Sequence, residues 1–259
     1  MKNIKLVSRS SESFSKVSHK CMPGLRIVKQ GLRIEENSKI GFGVKPNLNG
    51  DSTLLKASSA TNFKYQIVGF RGNSSDIYAI NNIETKCRVD DRLEELKKLG
   101  GELKFISLEN EIFMNNLILS DSLMPNILAE VIKQFYTSGL STISSLSELI
   151  SAHNPLGYDT QFSHPFYEYK IKRFLTDLAL GMIPSKVWDG SYNAIGGHLI
   201  GKEDGGTLCY HLYNRNQFED YLFQNTKLET ASSNRHEFGK VILDGEKLYF
   251  KLNLQIRFI

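Results

Sequence analysis

Hydrophobic and polar positions change their period along the chain, and the changes divide it into sheet-building and helical stretches. Short apolar runs bounded by Gly and Asn at about 25–28, 32–34, 40–45 and 63–68 predict strands. The run Asp90-Asp91-Arg92-Leu93-Glu94-Glu95-Leu96-Lys97-Lys98 has acids first, bases last and Gly100 behind it, which suits the dipole and C-cap of a helix. A strand follows at 103–106. Between 121 and 138, Met124, Leu128, Val131, Ile132 and Phe135 recur at helical spacing, as do Tyr167, Ile171, Phe174, Leu175 and Leu178 between 166 and 181. Beyond Trp188 the period returns to two. A hairpin is expected from 197–200 and 207–213 around the polar turn 202–206, then a short helix capped by Asn214 and running to about Phe223. A last hairpin pairs 240–243 with the run 248–257 through Asp244-Gly245. The fold class is therefore α/β: a mixed central β-sheet flanked by helices, with carboxy-terminal β-hairpins. Residues 8 to 20 are rich in Ser and Lys without a period and read as an exposed arm.

Composition narrows the setting. With 259 residues and 41% hydrophobic side chains the chain can bury a substantial core. Cys21, Cys87 and Cys209 are too few and too scattered for a disulfide framework, and no apolar run approaches a membrane span, so a soluble, cytoplasmic protein is expected. The net charge of +4 is unevenly spread: the first fifty residues hold ten Lys or Arg against three Glu, a surplus of seven that leaves about −3 for the remainder. A basic amino-terminal section suits a polyanion such as DNA, although a solvated surface has the same composition.

The candidate chemistry centres on Ile40-Gly41-Phe42-Gly43-Val44-Lys45, an apolar strand that ends in a single cation. Metal-dependent phosphodiester hydrolysis needs carboxylates to hold an ion and a cation to orient water and offset phosphate charge, and a strand fixes such groups better than a loop. Of the stretches that carry a carboxylate two residues before a lysine, two compete with it. Glu168-Tyr169-Lys170 lies within a helical period, where residues two apart diverge by about 200°; Glu84-Thr85-Lys86 reads as a loop or helix start. The pairs His19/Cys21 and Cys209/His211 lack the spacing of structural zinc sites. Glycine-rich nucleotide loops and serine-hydrolase elbows are absent. Polar clusters suited to DNA contact occur at Thr53 to Arg71, including Thr61 and Asn62, and at Asn214 to Arg235.

Taken together, several segments resemble the HpaII-type restriction endonucleases: Gly41-Phe42-Gly43-Val44-Lys45, Thr53-Leu54-Leu55 through Thr61-Asn62-Phe63, Asn116-Leu117 with Asp121-Ser122-Leu123-Met124-Pro125, Phe166 to Ile171, Val187-Trp188-Asp189-Gly190, Cys209 to Arg215, and Lys251 to Phe258. The likeness spans about 40–259, which sets that stretch as a restriction endonuclease-like domain behind a diverged or truncated segment 1–39. It implies a PD-(D/E)xK core and Mg²⁺-dependent cleavage of both strands of double-stranded DNA at a short palindrome, CCGG for the type member. A companion DNA methyltransferase would protect host sites, and the enzyme would act as a homodimer or as a monomer cutting twice. Lys45 would be the motif lysine that positions water. Residues 1–39 contain no Asp, so Glu35 or Glu36 would hold the metal, with Glu12 more remote. Thr61, Asn62, Arg71, Arg215 and Arg235 are the expected DNA contacts. Gly43 brings no side chain two positions before the lysine, so the alternative is a catalytically impaired DNA-binding remnant of such an enzyme.

Overall fold

A computed structural model describes residues 5–7, 25–28, 41–46, 53–192, 197–201, 207–211 and 215–259, with side chains over 53–192 and 215–259. Among the described residues the strands form three sheets. The first has the order β1 (Lys5–Val7), β2 (Leu25–Val28), β3 (Gly41–Pro46), β7 (Gly197–Gly201) and β8 (Thr207–His211). It is mixed: β3 and β7 run parallel, and every other pairing is antiparallel. The expected strand at 32–34, the arm at 8–20 and the turn at 202–206 lie outside the described residues.

The second sheet, β10 (Val241–Asp244), β11 (Lys247–Asn253), β5 (Asn62–Val68) and β6 (Glu102–Leu108), is antiparallel throughout. Its period of two is explicit in burial. Phe63, Tyr65 and Ile67 pair with Leu252, Phe250 and Leu248 on the inner face, while Lys64 and Gln66 alternate outward. Helix α4 (Met124–Ser138) covers this inner face, and the Tyr65 hydroxyl donates to the Ala129 carbonyl across 2.8 Å. Pro125 stands in the first turn of α4, where its missing N–H costs nothing. The third sheet sets β12 (Ile256–Phe258) between β4 (Thr53–Leu55) and β9 (Thr226–Leu228).

The run 248–257, expected as one strand, is two. A polar knot ends β11: Asn253 Nδ2 donates to Ser58 O, Thr61 Oγ1 and Asn62 Oδ1, and the Leu254 N–H then donates to Thr61 O. The chain turns out of the second sheet there and enters the third.

Helices α2 (Arg88–Lys98), α6 (Phe166–Leu180) and α7 (Arg215–Gln224) fall where the periodicity put them. Three more were not read from it: α1 (Ser74–Asn81), α3 (Glu111–Ser120) and α5 (Ile143–His153). A single turn, α8 (Ser233–His236), completes the set. Arg92 on α2 is wholly buried and donates to the carbonyls of Asn81, Ile83 and Gly239, tying the end of α1 to the loop before β10. Such a charge is tolerated inside only because several oxygens surround it.

Candidate functional site

Strand β3 places Lys45 opposite Ile200 and Gly43 opposite His198 on the parallel neighbour β7. By the period of two, Gly41, Gly43 and Lys45 share one face of the sheet. Strand β2 pairs with β3 only at Gly41 and Phe42, so the stretch carrying Lys45 extends past that partner. Glu35 and Glu36 lie outside the described residues. Among the described residues no three of His, Cys, Asp or Glu gather as a cation cage.

The two competing carboxylate-x-lysine stretches have other partners. On α6, Glu168 pairs with Lys172 at 2.6 Å whereas Lys170 pairs with Asp121, the divergence that helical geometry imposes on residues two apart. Glu84, in the loop before α2, pairs with Arg88 at 2.7 Å and reaches Arg92 at 3.3 Å; the hydrogen bond from Arg88 holds its carboxyl below the ordinary range.

The residues nominated for DNA contact separate into buried and exposed groups. Thr61 and Asn62 are fully buried in the knot that ends β11. Thr61 Oγ1 donates to Ser58 O, and Asn62 Nδ2 donates to Glu109 Oε2 at 2.7 Å and to His236 O at 2.8 Å. Asn253 Nδ2, from β11, meets the side-chain oxygens of both. Arg71, after β5, and Arg235, on α8, are exposed. Arg215 opens α7, is also exposed, and donates through Nε to Glu219 at 2.6 Å.

A polar cleft that the sequence did not single out as a site lies between the α3–α4 corner and α6. About 260 Å³ in volume, it is lined by Ser120, Asp121, Met124, Tyr169, Lys170 and Arg173. Behind it Asp177 is almost completely buried, accepting from the Ser120 hydroxyl on Oδ2 and from the Tyr192 hydroxyl, at 3.0 Å, on Oδ1. Burial pushes this carboxyl up; the two hydroxyls, with Arg173 and Arg215 nearby, oppose the shift. Burial, followed by the charge of Asp177, likewise raises the Tyr192 phenol.

Chain path ties this cleft to the strand carrying Lys45. Tyr192 precedes β7 by five residues and Arg215 follows β8 by four. Gly197, where β7 begins, pairs with both His211, where β8 ends, and Phe42 of β3. Tyr192 and Arg215 therefore lead into and out of the sheet at its Phe42 end, and Lys45 is three residues, about 10 Å, further along β3. Two of the segments that carried the resemblance, Asp121 to Pro125 and Phe166 to Ile171, supply most of the lining. That coincidence was the available signal for the cleft.

Comparisons with known proteins agree with the distribution of these segments. The family described as HpaII restriction endonuclease matches residues 17–258, taking in much of the section before β3 as well. The type II restriction enzyme HpaII of Haemophilus parainfluenzae is 43% identical over 235 residues, which is 91% of this chain and 64% of the relative. The chain thus spans slightly less than two thirds of that relative's length. No solved structure matches. The chain belongs to the HpaII restriction endonuclease family.

Proposed function

We propose that this protein is a site-specific deoxyribonuclease that cuts both strands of duplex DNA at a short palindrome, CCGG being the expected site. The observation that carries this reading is the extent of the family match, which runs through Gly41 to Lys45 and on to β12. Lys45 is the catalytic cation: near a scissile phosphate its ammonium group offsets negative charge and holds the attacking water by hydrogen bonding. Glu35 or Glu36 would hold Mg²⁺, since carboxylate oxygens are the hard ligands this ion takes, and the ion would supply an activated water and neutralise charge on the phosphate. Arg71, Arg215 and Arg235 are the proposed DNA contacts, being exposed guanidinium groups that can fork onto phosphate or guanine. A two-fold palindrome suits a symmetric homodimer, and a companion methyltransferase would shield host DNA in the same cytoplasm.

The test is cleavage of a plasmid carrying unmethylated CCGG by purified protein with Mg²⁺, beside Lys45→Ala. Loss of a positioned acid-base group lowers the rate by about 10² to 10⁴, so the variant is expected to be at least about a hundredfold slower. Equal cleavage by the two proteins would remove Lys45 from the mechanism. Gly43, on the same face as Lys45 and without a side chain, favours one second reading, a DNA-binding remnant that no longer cuts. Salt-sensitive duplex binding by wild-type protein without nicking would select it.

A further inference from the structure

The face formed by α6 and the start of α7 carries four basic groups, and three are paired closely with carboxylates. Lys170 pairs with Asp121, Lys172 with both Glu168 and Asp220 at 2.6 Å, and Arg215 with Glu219 at 2.6 Å. Arg173 is the exception. Among the described residues its nearest carboxylate oxygen, on Asp177, is 4.0 Å away, and both oxygens of that carboxylate already accept from hydroxyls. Its Nε is shut off from water with no hydrogen-bond partner, a costly state for a donor on an ion. The side chain as a whole is 39% exposed, and it lines the cleft.

A guanidinium whose Nε lacks a partner calls for an acceptor that can meet its forked donors with more than one oxygen, as a phosphodiester does. Depth decides between phosphate and base. The edge of a base lies at the floor of a groove roughly 8.5 Å deep and is read by an element that protrudes, whereas a phosphate stands out from the duplex and can enter a recess between helices. From Tyr192, behind the recess, the chain enters β7 five residues later, at the end of the sheet where β3 begins.

We propose that this cleft takes a backbone phosphate of duplex DNA and that Arg173 is its ligand. The inference rests on the reading that the chain binds duplex DNA. It is tested by measuring binding of full-length wild type, Arg173→Gln and Arg173→Lys over a salt series, using one duplex with CCGG and one with the site scrambled. Arg173→Gln is expected to weaken both duplexes by a similar factor, about tenfold for one charge-assisted hydrogen bond, and to flatten the slope of log K against log salt by about 0.9. Arg173→Lys keeps the charge but not the fork, so it should recover the slope and only part of the affinity. An unchanged slope in Arg173→Gln overturns the proposal, and a loss confined to the CCGG duplex makes Arg173 a base reader instead. Should Arg173→Gln fail to fold, wild-type affinity in Arg173→Lys overturns the fork just as directly. If wild-type protein binds neither duplex at low salt, the DNA reading fails and this site fails with it; if it binds both and the variants match it, only this site fails.

Discussion

Asp177 is a carboxylate that folding moves into a place where its charge is expensive. Burial raises its pKa above the usual value, and the hydroxyls of Ser120 and Tyr192 only partly compensate. The folded chain therefore holds this proton more tightly than the unfolded chain does. Its contribution to stability is greatest below the unfolded carboxylate pKa and is lost as pH rises through the folded one. Asn has nearly the same shape and does not titrate, so the melting temperature of Asp177→Asn relative to wild type should climb as pH rises above the ordinary carboxylate range of about 4. A difference that stays flat or falls over that rise would show that the carboxyl is not strained by burial. Thr61 and Asn62 have the side chains of a DNA-binding loop, but nothing in a one-dimensional pattern tells a loop amide from a buried amide that meets Asn253 from a strand 191 positions later. The strand that carries Lys45 was legible for the opposite reason, since a short apolar run is a local pattern.

At the scale of elements, legibility followed amphipathicity. Helices α4 and α6 bury one broad stripe and were evident, whereas α3 buries Phe113, Asn116 and Leu117 while leaving Ile118 and Leu119 exposed, which blurs its period. The serines of α5 hid it in the same way. The overlooked signals were caps: Asn73 accepts from the N–H groups of Ser75 and Asp76, Asn110 from that of Phe113, and Thr142 from that of Ser145. Turns between elements are stricter than the elements themselves. Gly69, after β5, has φ of +73° and sits so close to Gly100 that an added Cβ would stand 2.8 Å from its carbonyl oxygen. Gly245, in the β10–β11 turn, has φ of +61° and open space around it. Both should lose about 1 kcal/mol on becoming Ala through backbone strain. Gly69→Ala should lose at least about a further 1 kcal/mol from the collision, and urea denaturation of the two variants would compare them. Equal midpoints would mean that the β5–α1 turn gives way freely.

For the molecule as a whole, the sheet-then-helix-then-sheet order was readable, but how the strands divide among sheets was not. That division depends on pairings between distant residues and on the knot at Asn253. Leu254, Ile256 and Phe258 are all buried, and β12 is the middle strand of its sheet. A chain stopped after Asn253 should therefore lose far more than three small contacts: β4 and β9 would have no strand between them. Its thermal unfolding, followed by circular dichroism, is expected to be broad and non-cooperative, against a sharp transition for the full chain. A sharp transition in the shortened chain would show that the third sheet is dispensable.

The same arrangement sets a timetable for the newborn chain. Strands β4 and β5, at 53–68, each have a central partner within residues 247–258. At the roughly 5–20 residues per second at which ribosomes work, those two strands emerge on the order of ten to forty seconds before their partners exist. Throughout that interval the aromatic and aliphatic face of β5 has only β6 and the early helices to shelter it. Neither sheet closes as it is made: both wait for residues 247–258, and until these emerge the unpaired strands present edges and apolar faces on which aggregation can start.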